Sequence, residues 1–406
     1  MKNKINKSKT LKKHKTLRGG KFVGEGSYGC VISPAIPCIN IKSNTKKSSN
    51  SLSKNSKGKI IDKTVSKIII SPTKEIKEEI ELSHIIHKID PHQKHFITFN
   101  NTCVLKKLPT NRTNTVKVHH YNNSQKNYKV IDTRKGLDKK KCPIDLDMKP
   151  INLIMPYAGY DLIELVKNKS TDPLRLLILK NLPKDFKDCF KNLLIGIYKL
   201  HQNRIVNRDI KEENITANYN EKTKKVEMRF IDFGLSDYLS AKYCSNYKNI
   251  TYKGTPDFIP PEIVASLLTY NFYNINKDIN YIFQKVQNYY KETDAKPIFV
   301  SIKESNMFKE LNYTLINLIK GIYNDLKNKT FLPKYFGSQE NKFNGYLQKA
   351  DVYALGMAMY EFLEVFTDFI NVKKDIKLHN LLINMIQFHP DKRYNVTDCL
   401  NHPYFK

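Results

Sequence analysis

The feature that most constrains this chain is a change of hydrophobic period near residue 160. Before it, apolar residues come in short runs bounded by turn formers: "KFVGEGSYGCVISP" from Lys21, "KTVSKIII" from Lys63 and "INLIMPYAG" from Ile151. Such runs, rich in β-branched residues, read as strands. After it the period becomes helical. "FKDCFKNLLIGIYKLHQNRI" places apolar side chains at 186, 190, 193, 194, 197 and 200, a stripe on one helix face. "ADVYALGMAMYEFLEVF" from Ala350 reads as a buried helix, and "LHNLLINMIQFHPDKRYNVTDCLNHPYF" closes the chain with further helices. One helix interrupts the strands: "SPTKEIKEEIELSHIIHKID", with Ile76, Ile80, Ile86 and Ile89 near helical spacing. Strands first and helices afterwards predict an α+β, two-lobed architecture. A small β-rich N-lobe covers about 19–155 and a mainly helical C-lobe about 159–406.

The chain has 406 residues and a net charge of +30. That charge favours polyanions, but two segments without hydrophobic period carry much of it. Residues 1–18 read as a disordered basic arm, either a polyanion contact or a solvated tail, and about 40–59 as a flexible, Ser/Asn/Lys-rich insertion. The stretch from Thr110 to Lys149 is expected to be loop or hairpin. No run of about 18 apolar residues occurs, so no membrane span is expected. The seven cysteines are scattered without a CxxC pair, which predicts free thiols in a reducing, intracellular compartment.

"GEGSYG" spaces Gly24, Gly26 and Gly29 so that backbone N–H groups can approach phosphates. The same spacing serves a dinucleotide turn or a plain structural turn. The strand-like "CVISP" that follows disfavours the dinucleotide reading, which needs a helix there. Lys67 sits inside a β-branched strand, out of character unless it meets an anion or faces water. Among the acids of the following helix, Glu79 is the chosen partner, because Ile80, Leu82 and Ile86 would bury its face.

"RIVNRDIKEENI" from Arg204 supplies the groups of a phosphoryl-transfer loop. Asp209 can accept a hydroxyl proton, Lys211 can neutralise phosphate charge, and Asn214 can ligate magnesium through its amide oxygen. In "FIDFGLS", Asp232 stands at a strand end, where a carboxylate can bridge metal and phosphate.

In this order, the motifs resemble those of the eukaryotic-type serine/threonine protein kinases. The details "GCVISPAIPC" and "MPYAGYDL" look like the kinases of large nucleocytoplasmic (giant) DNA viruses. The resemblance implies ATP and Mg2+ as cofactors, and protein substrates with Ser or Thr acceptors. It implies a setting in a host cytoplasm or virion. It carries the nucleotide-binding role onto Val23, Gly24, Glu25, Gly26, Ser27, Tyr28, Gly29, Cys30, Val31, Lys67 and Glu79, with Met155 and Ala158 at the adenine. Asp209, Lys211 and Asn214 become catalytic, and Asn214 and Asp232 the metal ligands. Asp351 matches the aspartate that anchors the catalytic loop, and Arg393 the arginine that pairs with Glu262. Thr255 in "GTP" fits the serine/threonine class, and Arg208 could meet a phosphate on Thr251 or simply a carboxylate or carbonyl.

Three departures stand out. Asn207 replaces the usual histidine before Arg208-Asp209. Tyr353 replaces a common tryptophan. About 264–344 is a large insertion that rebuilds the peptide surface, binds a partner or is a tolerated surface excursion. The alternative function is a catalytically weak pseudokinase scaffold that binds through the arm and the insertion.

Overall fold

A computed structural model describes residues 21–26, 29–33, 35–36, 53–54, 60–61, 64–69, 74–105, 115–118, 129–132, 149–167, 171–292, 305–338, 342–366, 370–372 and 374–406. The chain divides into two compact units, Met1–Thr73 with Phe99–Tyr157, and Lys74–Thr98 with Ala158–Lys406. The basic arm, Ser27, Tyr28 and most of the Ser/Asn/Lys-rich stretch lie outside the described residues.

The first unit is built on an antiparallel sheet. Its strands are β1 (Lys21–Gly26), β2 (Gly29–Ser33), β5 (Thr64–Ile69), β6 (Asn101–Val104) and β9 (Ile151–Pro156), in the order β1-β2-β5-β9-β6. The glycine stretch is the β1–β2 hairpin, with a register shift between Phe22 and Gly24. Lys67 lies mid-strand in β5, opposite Val31 on one side and Leu153 on the other. Its neighbours Val65, Ser66, Ile68 and Ile69 are buried and Lys67 is half-buried. Two short pairs complete the unit, β3 (Ser53–Lys54) with β4 (Ile60–Ile61), and β7 (Thr115–Val118) with β8 (Lys129–Asp132). The latter is the hairpin expected between Thr110 and Lys149.

The cysteine expectation needs one correction. Cys103, on the edge strand β6, is disulfide-bonded, whereas Cys189, Cys244 and Cys399 are free.

The second unit begins with α1 (Lys74–Ile89), which buries Ile76, Leu82 and Ile86. A parallel bridge joins Phe96 to Phe230. The helix thus groups with the second unit. Next come β10 (Tyr160–Asp161), α2 (Leu162–Lys167) and α3 (Pro173–Gln202). Asp172 caps α3 by accepting from the N–H groups of Leu174 and Arg175. The expected stripe of α3 is fully realised: Phe186 is 2% exposed, and Phe190, Leu193, Leu194, Ile197 and Leu200 are 0%. After it run β11 (Ile205–Val206), the hairpin of β12 (Ile215–Asn220) with β13 (Lys225–Phe230), and β14 (Asp237–Tyr238), which pairs back onto β11.

The remaining elements are α4 (Ala241–Cys244), α5 (Pro261–Tyr273), α6 (Ile279–Glu292), α7 (Ser305–Lys327), α8 (Phe331–Phe336), α9 (Tyr346–Val365), α10 (Ile376–Met385) and α11 (Val396–Asn401). Two apolar cores result. One gathers α3, α9, α10 and the β12–β13 hairpin. The other joins α5, α6, α7 and α8, with Ile282, Val286, Ile319, Ile322, Phe331 and Phe336 at 0% exposure. The helices between 264 and 344 are therefore part of a core. Each such side chain contributes about 1.5–3 kcal/mol by leaving water. Among the described residues, no helix is long and apolar enough to cross a membrane.

Candidate active site

The catalytic loop leaves α3 by way of β11. Asp351, on the buried helix α9, sets its backbone. One carboxylate oxygen accepts from the N–H of Asn207 and the other from the N–H of Arg208, each at 2.8 Å. His201, the penultimate residue of α3, meets the same carboxylate at 3.0 Å through Nε2. All of these groups are nearly dry, with Asp351 1% and His201 0% exposed. Dry hydrogen bonds to a charged acceptor are the strong ones, and here they hold Arg208 at a φ of +69°.

Asp209 follows directly. Its side chain is 15% exposed and is surrounded by donors. Asn214 Nδ2 donates to Asp209 Oδ2 and to its backbone carbonyl, both at 2.8 Å. The Thr255 hydroxyl donates to Oδ1 at 2.8 Å and accepts from Lys211 Nζ at 2.9 Å. Lys211 Nζ stands 3.5 Å from Oδ2. Thus Asp209, Lys211 and Asn214 come together, joined by Thr255, whose place in the site the sequence did not show. The close approach depends on Gly254: a Cβ there would lie 2.4 Å from the carbonyl oxygen of Arg208, and φ is +119°.

The β12–β13 hairpin aligns the proposed metal ligands. Ile231 N–H donates to the Asn214 carbonyl at 2.9 Å, so Asn214 and Asp232 emerge at the same end. Because Asn214 uses its amide nitrogen on Asp209, its Oδ1 is the atom suited to a cation. An amide oxygen and a carboxylate are hard donors of the kind magnesium takes, with phosphate and water completing the shell. Among the described residues there is no cluster of three or more His, Cys, Asp or Glu side chains that would instead form an all-protein metal cage.

Asp232 has a φ of +60° and accepts from the N–H of Gly234 at 3.2 Å. A Cβ on Gly234 would lie 3.3 Å from both Asp232 Oδ1 and Glu79 Oε2. Glu79 is thereby placed beside the "DFG" turn. Lys67, Met155 and the glycine hairpin belong to the first unit, and Ala158 begins the longer stretch of the second. Side chains from Val23 to Cys30 lie outside the described residues.

Burial shapes the flanks. Asp161 accepts from Glu164 N–H at 2.6 Å. Desolvation pushes its carboxyl up to about 7. Glu212, 6% exposed, is raised by burial and by the nearby Glu361 carboxyl.

The sequence model of the protein kinase domain matches residues 147–405. The chain belongs to the protein kinase family. Several of the proteins it is similar to are named as serine/threonine-protein kinases. It is 31% identical over 117 residues to the serine/threonine-protein kinase nekl-2 of Caenorhabditis elegans, covering 29% of this chain and 30% of that protein. It is 25% identical over 233 residues to the DNA damage response protein kinase DUN1 of Saccharomyces cerevisiae, covering 54% and 34%. With fhkB of Dictyostelium discoideum it shares 36% over 118 residues, 29% of this chain and 10% of that one. The chain therefore spans about a third of these curated relatives' length or less.

Proposed function

We propose that the chain is an active serine/threonine protein kinase that transfers the γ-phosphoryl group of ATP to Ser or Thr hydroxyls of protein substrates. The observation that carries this reading is the set of donors around Asp209. A carboxylate fixed by Asn214 and Thr255 keeps one geometry, with enough exposure to receive a hydroxyl proton. Lys211 supplies positive charge next to that point. Asn214 and Asp232 would hold Mg2+, which when bound neutralises phosphate charge. Lys67 and the β1–β2 hairpin would hold the nucleotide, with Met155 and Ala158 at the adenine. Catalysis is then positioning and electrostatic stabilisation.

A pseudokinase would be expected to lack at least one of Lys67, Asp209, Asn214 and Asp232, and all are present. The finer likeness to giant-virus kinases rests on the "GCVISPAIPC" and "MPYAGYDL" motifs alone. A radiolabelled-ATP assay on a peptide array, with Asp209→Asn as control, tests the reading. Peptides labelled by the wild type only are expected; equal labelling by both proteins would remove it.

A further inference from the structure

The segment after Asp232 is held by groups inside the chain. Arg208 Nη1 donates to Asp237 Oδ2 at 2.6 Å and to Thr251 Oγ1 at 3.3 Å, while Nη2 donates to the Thr251 carbonyl at 2.6 Å. Lys253 Nζ donates to the other Asp237 oxygen at 2.7 Å. The Arg208 and Asp237 side chains are 2% and 7% exposed. Burial alone would raise the Asp237 carboxyl, but Arg208 and Lys253 overcome it and hold the group below the usual carboxylate range.

The pairing is built into the backbone. Val206 opposes Asp237 in the β11–β14 ladder, two residues before Arg208. The helices of the 264–344 region close the other side. Tyr335 of α8 is 0% exposed near Arg208 and Asp237, and its buried hydroxyl has no hydrogen-bond partner, so it acts through its ring. Phe336 packs edge-on against Tyr243, and Tyr270 of α5 stacks on Tyr247 at 5.2 Å.

A phosphate opposite an arginine orders a loop because it supplies charge-assisted acceptors. Here Asp237 already supplies them. A phosphate on Thr251 would bring a second anion towards an arginine that is already engaged, and towards Asp237 itself.

We propose that Asp237 and Tyr335 are positioning residues that set the catalytic loop from within. Phosphoryl transfer then proceeds without phosphorylation of the segment between Asp232 and Glu262. The proposal rests on the kinase reading above. It also gives the α6–α8 region a role, since its last helix seals the arginine–aspartate pair from water.

The test uses the full chain made together with a phosphatase and shown by intact mass to carry no phosphate. Amide hydrogen exchange over 238–252 should be slow in this protein, and fast exchange would overturn the proposal whatever the activity. Initial rates should be linear, with kcat within about two-fold of protein preincubated with ATP. A lag that preincubation removes would overturn it. Asp237→Asn should lower kcat by about 100-fold, the scale of a small misplacement, with KM for ATP little changed. An unchanged kcat would refute the role of Asp237. If that variant does not fold, Tyr335→Leu removes the ring that covers the arginine–aspartate pair. It should speed exchange near Thr251 and lower kcat at constant KM, and no change in either would overturn the proposal. Slow exchange combined with labelling no better than Asp209→Asn would remove the kinase reading while leaving the anchored segment standing.

Discussion

Asn207 Oδ1 accepts a hydrogen bond from the backbone N–H of Asp209 at 3.0 Å. The residue that departs from the family pattern therefore supports the proposed base through a local side-chain turn. Its carbonyl also accepts from the Ser236 hydroxyl at 3.0 Å, tying the loop to the segment after "DFG". Asn207 is 2% exposed and its bond to Asp209 is partly buried, so losing the acceptor leaves that N–H unpaired, a cost of about 1 kcal/mol. Asn207→Ala is expected to lower both Tm and kcat while KM for peptide holds. Asn207→His should keep activity, and a severe loss would show that histidine cannot replace this turn.

The Thr255 hydroxyl links Lys211 to Asp209. Thr255→Val keeps the shape and removes the link, so kcat should fall by about 10- to 100-fold through misplacement of the base. Thr255→Ser should restore most of it. Steady-state kinetics on one peptide substrate compares all three proteins.

Glu212 lies near Glu361, and burial with this like-charged neighbour raises the Glu212 carboxyl from 4.5 to about 9. The folded protein thus holds a proton that the unfolded chain has already lost. Linkage makes the contribution full below about 4.5, falling as pH rises towards about 9. Asp161, raised to about 7, acts in the same direction over a lower range. Glu212→Gln keeps the group neutral without the proton. Its Tm should exceed wild type at pH 8–9 and match it near pH 5 in a calorimetric pH series.

Arg393 and Glu262 form an ion pair with both side chains at 0% exposure. The guanidinium also lies 4.8 Å from the Tyr353 ring centroid, where the family commonly has tryptophan. Removing one partner strands the other charge, at a cost of about 3–5 kcal/mol. Glu262→Ala should therefore be severely unstable in urea titration. Glu262→Gln, which keeps an acceptor, should recover part of the loss.

The α3 stripe was legible because one period covers fifteen residues, 186 to 200, and nearly all the face is buried. Asp209, Lys211 and Asn214 were legible because they sit on one short loop. Asp237, Tyr335 and His201 were not. Each acts on the loop from another element, and Tyr335 lies well over a hundred residues beyond Arg208 in sequence. The α6 and α7 faces had helical periods compatible with either a surface excursion or a core. Their partners in α5, Ile263 and Val264, come from a different stretch of the chain.

The shared core of α5 to α8 also bears on how the gene can change. Elements that share a core cannot drift freely, because each side chain must fit its partners. Close homologues should thus substitute positions 237, 243, 335 and 336 together.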